Sequence, residues 1–312
     1  MGGLSLLFRQ TNVIWIAYVL GTSIVMDAQQ RHHEATVIKS KKKKQDDDDD
    51  DGKSSSPATF NPNAPFSFKL LLEFVVYMLS SWSHLLSHFW PYALPLMAFI
   101  VFMIWNDGSI VLGDKSHHQM TLHVAQIAYY IIITALVHFP LLPLSTDSWQ
   151  GMSKWIKELG ALPICLMVTI LGYLLDRFTL SHPFLLADNR HYTFYIWQRI
   201  FQRVPRTNLI LMPFYMLSSW WVLSGVKHTN GSSLYVLILL IAVSLVLLPA
   251  HLLEPRYFTI PVIFTLLELP PLSNLSLILT MIAFVAVNAA TIYVFLWRPF
   301  VWGDGSIARF MW

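Results

Sequence analysis

Charge is segregated in this sequence. Of its 39 formal charges, 16 fall between Asp27 and Lys69, eight acidic and eight basic, and the remaining roughly 269 residues carry only 23. An average soluble domain is about a quarter charged, so those residues cannot clothe a water-facing surface. Hydrophobic residues make up 55% of the chain and mean hydropathy is +0.51. In hydrocarbon every backbone N–H and C=O must find a partner inside the protein, which a helix provides within one segment. The fold class is therefore all-α, a polytopic transmembrane helical bundle. The net charge of +3 does not argue for nucleic acid, because the basic residues are scattered singly and their dense run, Lys41 to Lys44, is followed by Asp46 to Asp51. The single cysteine, Cys165, lies in an apolar run and excludes a disulfide scaffold.

A crossing takes about 20 apolar residues. Runs near Asn12 to Met26, Trp90 to Trp105, Leu122 to Leu144, Leu159 to Asp176, Asn208 to Gly225, Ser233 to Pro249 and Ser276 to Trp297 predict about seven spans, with interfacial or re-entrant helices besides. The weakly charged start speaks against a cleaved signal peptide for residues 1–26. Residues 27–67 have almost nothing to bury and are expected to form a disordered loop, cytosolic by the charge count given below. Residues 68–312 form the rest of the bundle, with loops near 107–121, 177–206 and 251–275 that the family resemblance described below implies are lumenal. As one helix, Phe68 to Trp105 would be about 57 Å long. Pro91 and Pro95 are expected to break it, leaving Phe68 to Phe89 along the membrane surface. His84 and His88 have the i, i+4 spacing of metal ligands but no third ligand accompanies them. Tyr257 to Pro270 is short and proline-punctuated, and is read as re-entrant or packed against the bundle.

With these spans the loops alternate between two sides. One holds the Lys/Asp loop, Lys154, Lys157, Lys227, Arg298 and Arg309; the other holds Arg9, Lys115, Arg177, Arg190, Arg199, Arg203, Arg206 and Arg256. The count is 13 cations against 8, which makes the first side cytosolic. Five of the eight lie in one loop, Arg177 to Arg206. A basic loop on the disfavoured side suggests a task other than orientation.

That loop carries Asp188, Asn189, Arg190, His191 and Tyr192 in succession. Arginine suits bidentate contact with phosphate oxygens, amide and carboxylate suit sugar hydroxyls, and aromatic rings suit sugar faces. The alternative, level with it on composition, is that Asp188 caps the following helix while the arginines pair with lipid headgroups. Asp114, His117, His118 and His123, with Gln126, form a second polar cluster on the same side, but their spacing matches no standard zinc signature. Arg256 with Tyr257 forms a third, and Arg9 with Gln10, Thr11 and Asn12 a fourth; each is otherwise an interfacial anchor. Together they suggest a lipid-phosphate site at the membrane surface. There is no Gly-x-Ser-x-Gly, His-Glu-x-x-His or P-loop motif, and no pair of matching halves of the kind transporters carry.

Five segments carry a more specific signal: Phe8-Arg-Gln-Thr-Asn-Val-Ile-Trp, Val111-Leu-Gly-Asp-Lys-Ser-His-His, His182-Pro-Phe-Leu-Leu-Ala-Asp-Asn-Arg-His-Tyr-Thr-Phe-Tyr-Ile-Trp, Leu253-Glu-Pro-Arg-Tyr-Phe and the terminal Arg309-Phe-Met-Trp. With them the chain resembles the terminal alpha-1,2-glucosyltransferases of the asparagine-linked glycan precursor pathway, nearly throughout apart from the Lys/Asp loop. The resemblance implies a multi-pass endoplasmic-reticulum enzyme of the C-type class. Its donor would be dolichyl phosphate glucose, its acceptor the lipid-linked oligosaccharide, and its setting membrane lipid, with no cofactor or metal. A beta-linked donor and an alpha-linked product imply one inverting displacement, with a carboxylate as general base and cations stabilising the departing phosphate. The roles implied are Arg190 and His191 on the phosphate with Arg256 in support, Asp188 and Asn189 on the sugar or as base, Asp114 as second carboxylate, and Tyr192, Tyr257 and Arg9 lining the substrate site.

One departure stands out. Family members begin with further helices and a first lumenal loop bearing an Asp-Glu-x-Phe-His type motif, whereas this chain has no Asp-Glu dipeptide and its Arg-Gln-Thr-Asn element starts at Arg9. Roughly the first third of the family's length is expected to be missing, and the chain alone to have weak or no transferase activity. A catalytically inactive regulator or scaffold is the alternative that follows.

Overall fold

A computed structural model describes residues 11–45, 60–108, 121–138, 146–180, 188–204, 206–250 and 252–311, and side chains at 42–45 and 146–148 are left out of account. Among the described residues the regular structure is helical apart from one small hairpin. It divides into two compact units: residues 1–118 with 230–242, and residues 119–229 with 243–312.

In the first unit, α1 (Asn12–Gln45) is followed by α2 (Phe68–Ser80) and α3 (Trp82–Trp105). The loop expected from Asp27 does not begin there, because α1 continues to Gln45. Its polar half is tied along its own axis by Arg31 Nε to Asp27 Oδ2 at 3.2 Å and Gln30 to Glu34 at 3.0 Å, i, i+4 pairs that support a helix where nothing can be buried. The Asp46 to Asp51 run lies outside the described residues. Gln29 reaches both Asn63 Oδ1 (2.7 Å) and the Asn230 carbonyl (2.8 Å), and Phe60 stacks on Tyr77 at 5.4 Å, so the chain returning from the acidic run is fastened to α1 and α2. At Gly21 an added Cβ would sit 3.2 Å from Ile238, which shows how closely α1 approaches that neighbour.

The break expected at Pro91 and Pro95 is also elsewhere. It falls at Ser81, and both prolines sit inside α3. A proline removes one backbone bond and crowds the carbonyl four residues back, yet helices at membrane depth tolerate this where local adjustments satisfy the freed groups. At 24 residues α3 is about 36 Å long, enough to cross a hydrocarbon core of about 30 Å, and almost none of it is buried inside the protein.

The second unit contains α4 (Ala125–Val137), α5 (Thr146–Leu159), α6 (Ala161–Arg177), the short α7 (Tyr192–Ile196) running into a π-helical turn (Trp197–Phe201), α8 (Thr207–Ile210) and α9 (Met212–Asn230). Helix α10 (Ser233–Leu247) contains the unit boundary, and α11 (Pro255–Glu268), α12 (Asn274–Trp297) and the antiparallel β1–β2 hairpin (Phe300–Val301, Ile307–Ala308) complete the unit. Buried Tyr130, Ile131, Thr134 and Ala135 make α4 the centre of the unit. Its start is stitched to residues 248–252 by His123 N–H to the Leu248 carbonyl (2.9 Å) and by Gln126 Nε2 to the carbonyls of Ala250 and Leu252 (3.2 and 3.1 Å). Helix α11 packs along α4, with Thr265 hydrogen-bonded to Tyr130. A polar chain, Tyr215 Oη to Asn208 Oδ1 (3.1 Å) and Asn208 Nδ2 to Thr179 Oγ1 (2.8 Å), joins α9, α8 and the end of α6.

Across the described residues α3 and α12 are the helices long and apolar enough to cross a membrane, and the pair α5–α6, bent by 99°, would make a third if read as one broken span. Helices α4 and α10 are apolar but shorter. The protein is thus an all-α membrane protein with two to three candidate spans among the described residues.

Candidate functional site

The Asp188 to Tyr192 segment is described in full, and its residues converge. Asp188 forms a local turn in which Oδ1 accepts the Arg190 backbone N–H at 3.0 Å and Arg190 Nε at 2.9 Å, while Oδ2 accepts Arg190 Nη2 at 2.8 Å. His191 Nε2 lies 3.2 Å from the same Oδ2. Asp188 does not cap the helix that follows: His191 occupies the N-cap of α7 and makes no side-chain capping bond. The Arg190 hydrogen bonds hold the Asp188 carboxyl down to about 2, against the opposing effect of partial burial, with the Arg190 backbone N–H and His191 adding to the lowering. The same carboxylate raises Arg190. Asp188 is therefore a permanently charged support for a permanently charged guanidinium, with both side chains about one third exposed.

The chain's own terminus completes the cluster. The Met311 N–H bonds to the Arg190 carbonyl at 2.7 Å, the Arg190 guanidinium lies 5.3 Å from the Trp302 ring centre, and Trp302 Nε1 donates to Asn189 Oδ1 at 2.9 Å. Phe310 is buried and lies edge-on to Tyr192 at 4.6 Å; the Tyr192 hydroxyl is 2.7 Å from Thr291 Oγ1 on α12. Arg309 anchors the return by donating from Nη1 to the carbonyls of Phe295 (2.9 Å) and Leu296 (3.1 Å), the place where a cation best offsets the unpaired carbonyls of a helix end. Trp302, Phe310 and Met311 belong to this cluster, and sequence reading alone does not find them. The one signal was the terminal Arg-Phe-Met-Trp, noted for its resemblance but given no role at the site.

This contact corrects the loop alternation. Alternation of the expected spans puts Arg298 and Arg309 on the side opposite Arg190, whereas the tail lies against Arg190 itself. The reason is α11. Its start is near Gln126, through Leu252, and its far end brings Leu269 against Gly225 of α9, where a Cβ would be 2.7 Å away. Gly225 is 13 residues beyond Met212, or about 20 Å along α9. Helix α11 thus carries the chain through the depth of the unit, and α12 brings it back. With the tail moved, the cation count changes from 13 against 8 to 11 against 10, and charge no longer orients the chain.

Arg256 is paired by Nε with Glu254 Oε2 and lies 5.5 Å from the Tyr257 ring centre at the start of α11, and Glu254 raises it. Arg9 and Asp114, with His117 and His118, lie outside the described residues. His123 is buried in the backbone pairing with Leu248, with Gln126 Nε2 3.3 Å from its Nδ1. Among the described residues no three His, Cys, Asp or Glu side chains are grouped to hold a metal ion.

The arrangement is an oriented cation with an aromatic cover and an imidazole beside it, suited to a phosphate-bearing ligand. Comparison with known proteins bears on which one. No solved structure matches the chain. Relatives named Dol-P-Glc:Glc(2)Man(9)GlcNAc(2)-PP-Dol alpha-1,2-glucosyltransferase align with all of it: the protein from Rattus norvegicus is 36% identical over 319 residues, one from Homo sapiens 35% over 319, and that from Arabidopsis thaliana 33% over 341. The chain spans 63% of the rat and human proteins and 66% of the plant one. The model of the DIE2/ALG10 family matches residues 1–267. On this match the chain is a member of the DIE2/ALG10 family.

Proposed function

We propose that this chain is part of a multi-pass endoplasmic-reticulum enzyme that transfers the last, alpha-1,2-linked glucose from dolichyl phosphate glucose to the lipid-linked oligosaccharide. The reading is supported by 33–36% identity along the whole chain to relatives bearing that name. The observation that carries it to a site is the Asp188-oriented Arg190 beneath Trp302. About seven crossings of a C-type arrangement, with the Asp188 loop lumenal, belong to the same proposal.

In this scheme the glucose leaves dolichyl phosphate by a single inverting displacement. Arg190, held by two charge-assisted bonds to Asp188, takes the phosphate charge as it develops, and His191 adds a donor beside it. Trp302 and Tyr192 present aromatic surface to the sugar, and Asn189 is held toward Trp302. Arg256 and Tyr257 form a supporting cation and ring, and Arg9 a further contact. A general base needs a pKa near the working pH to be effective, and a carboxyl held to about 2 falls far short. Asp188 therefore aims the arginine, and the proton from the acceptor 2-hydroxyl goes to another carboxylate, Asp114 being the second candidate in this sequence. No step calls for a metal, since fixed cations neutralise the phosphate.

The test is to express the complete gene product containing this sequence in cells that lack their own terminal glucosyltransferase. Mass analysis of the lipid-linked oligosaccharide should show the two-glucose form converted to the three-glucose form. Accumulation of the two-glucose form despite stable expression would overturn the assignment.

A further inference from the structure

The segment containing Lys154 and Lys157, expected as a loop, is the helix α5, and its side chains are sorted by face. At about 100° per residue, Trp149, Met152, Trp155, Ile156 and Leu159 cover about 120° of its circumference, and Gln150, Ser153, Lys154, Lys157 and Glu158 occupy most of the opposite side. One edge of the apolar face is held by protein: Trp155 packs on Trp220 of α9 with ring centres 5.2 Å apart, and Gly151 lies against the same indole. Beyond that edge Met152 is half-buried, and Trp149 and Ile156 are each 43% exposed.

The orientation of α5 says what covers that face. Gly160, at φ 79° and ψ 167°, turns the chain sharply between α5 and α6 in a conformation that residues with a Cβ rarely adopt, and the two axes differ by 99°. Helix α6 is apolar and turns Leu162, Leu166, Ile170 and Tyr173 outward, a lipid-facing stripe at helical spacing. A helix perpendicular to such a segment, at its end, lies parallel to the bilayer plane at the level of the headgroups. Amphipathic helices with tryptophan and leucine on one face and lysine on the other bind there.

We infer that Thr146–Leu159 is an in-plane membrane-surface helix, with Trp149, Ile156 and Leu159 sunk into the acyl boundary and Lys154 and Lys157 reaching the lipid phosphates. Trp155 clamps it to α9 and Gly160 sets its angle. The helix does not depend on the glucosyltransferase reading, because its argument uses only the amphipathic face and the bend.

The test is spin-label depth measurement on the full-length protein in phospholipid nanodiscs, in a cysteine-free background that includes Cys165→Ser. Labels at Ile156→Cys and Trp149→Cys should be relaxed several-fold more by oxygen than by a water-soluble nickel chelate, and labels at Lys157→Cys and Ser153→Cys should show the reverse. If nickel reaches all four sites equally, the helix stands in water and the inference fails. If both reagents are excluded from Ile156 and Trp149, another protein surface covers the face, and the inference fails equally. Since these side chains are exposed, a misfolded variant at one site leaves the other pair of sites to decide.

Discussion

Two aspartates in this protein each gather an arginine and a histidine, and they do so in opposite ways. Asp27 draws partners from three helices: Arg31 from its own α1, Tyr77 of α2 at 2.7 Å and His84 of α3 at 3.2 Å. Asp188 draws Arg190 and His191 from the next three residues, and Trp302 covers the arginine from more than a hundred residues away. The first carboxylate is a tie between elements, so its removal should be felt as lost folding. The second organises one cation on one loop, so its neighbourhood should be felt as lost chemistry.

The contrast is sharpest at Arg190. Arg190→Ala should reduce glucose transfer by roughly two to three orders of magnitude, the scale of removing one donor to developing charge, with little change in thermal stability. Transfer kinetics and melting of the same preparation would separate the two, and an equal loss of stability would make Arg190 a tie like Asp27. Asp27→Ala should behave the other way, costing about 1–3 kcal/mol by leaving the Tyr77 hydroxyl and His84 without their shared acceptor. A lowered melting temperature in detergent with unchanged donor affinity checks this. A smaller effect is expected at Trp302→Ala, which loses the ring over Arg190 and one hydrogen bond, together about 1–2 kcal/mol. That corresponds to roughly tenfold in transfer, and an unchanged rate would reduce the C-terminal hairpin to packing.

The smallest expected effect is one of pH. The Asp188 carboxyl is near 2 in the folded chain and about 3.9 when unfolded. A depressed carboxyl stabilises above its unfolded value, and that contribution fades as pH falls from about 4 toward 2. Melting temperatures of wild type and Asp188→Asn should therefore differ by a constant amount between pH 5 and 8 and converge only below about 4. A gap that closes near neutrality would mean that Asp188 titrates there after all, which would return it to candidacy as the base.

The same contrast explains what could be read in advance. Asp188 to Tyr192 was legible because its chemistry is contiguous: five consecutive polar and aromatic residues interrupt an apolar sequence. Asp27, Tyr77 and His84 are about 50 residues apart from α1 to α2 and α3, so no local pattern joins them. Trp302 and Phe310 look like ordinary interfacial aromatics until the hairpin pairs Phe300 with Ala308 and folds back. Some signals were present but outweighed. Trp149, Met152, Trp155, Ile156 and Leu159 recur at i, i+3 and i+4, yet low mean hydropathy masked them in a search for spans. Pro91 and Pro95 were overvalued as helix breakers in a segment where lipid leaves the backbone no better partner than the helix.

Composition and charge segregation alone determined that this is an all-helical membrane protein, because an apolar chain in lipid must satisfy its backbone within helices. Contiguous residues likewise determined that the Asp188 loop gathers an acid, an amide, a cation, an imidazole and a phenol in succession. Tertiary structure decided which side the tail occupies and which partners orient Arg190. These depend on α11 traversing its unit and on contacts between residues distant along the chain, and neither hydropathy nor local spacing encodes distance across a fold.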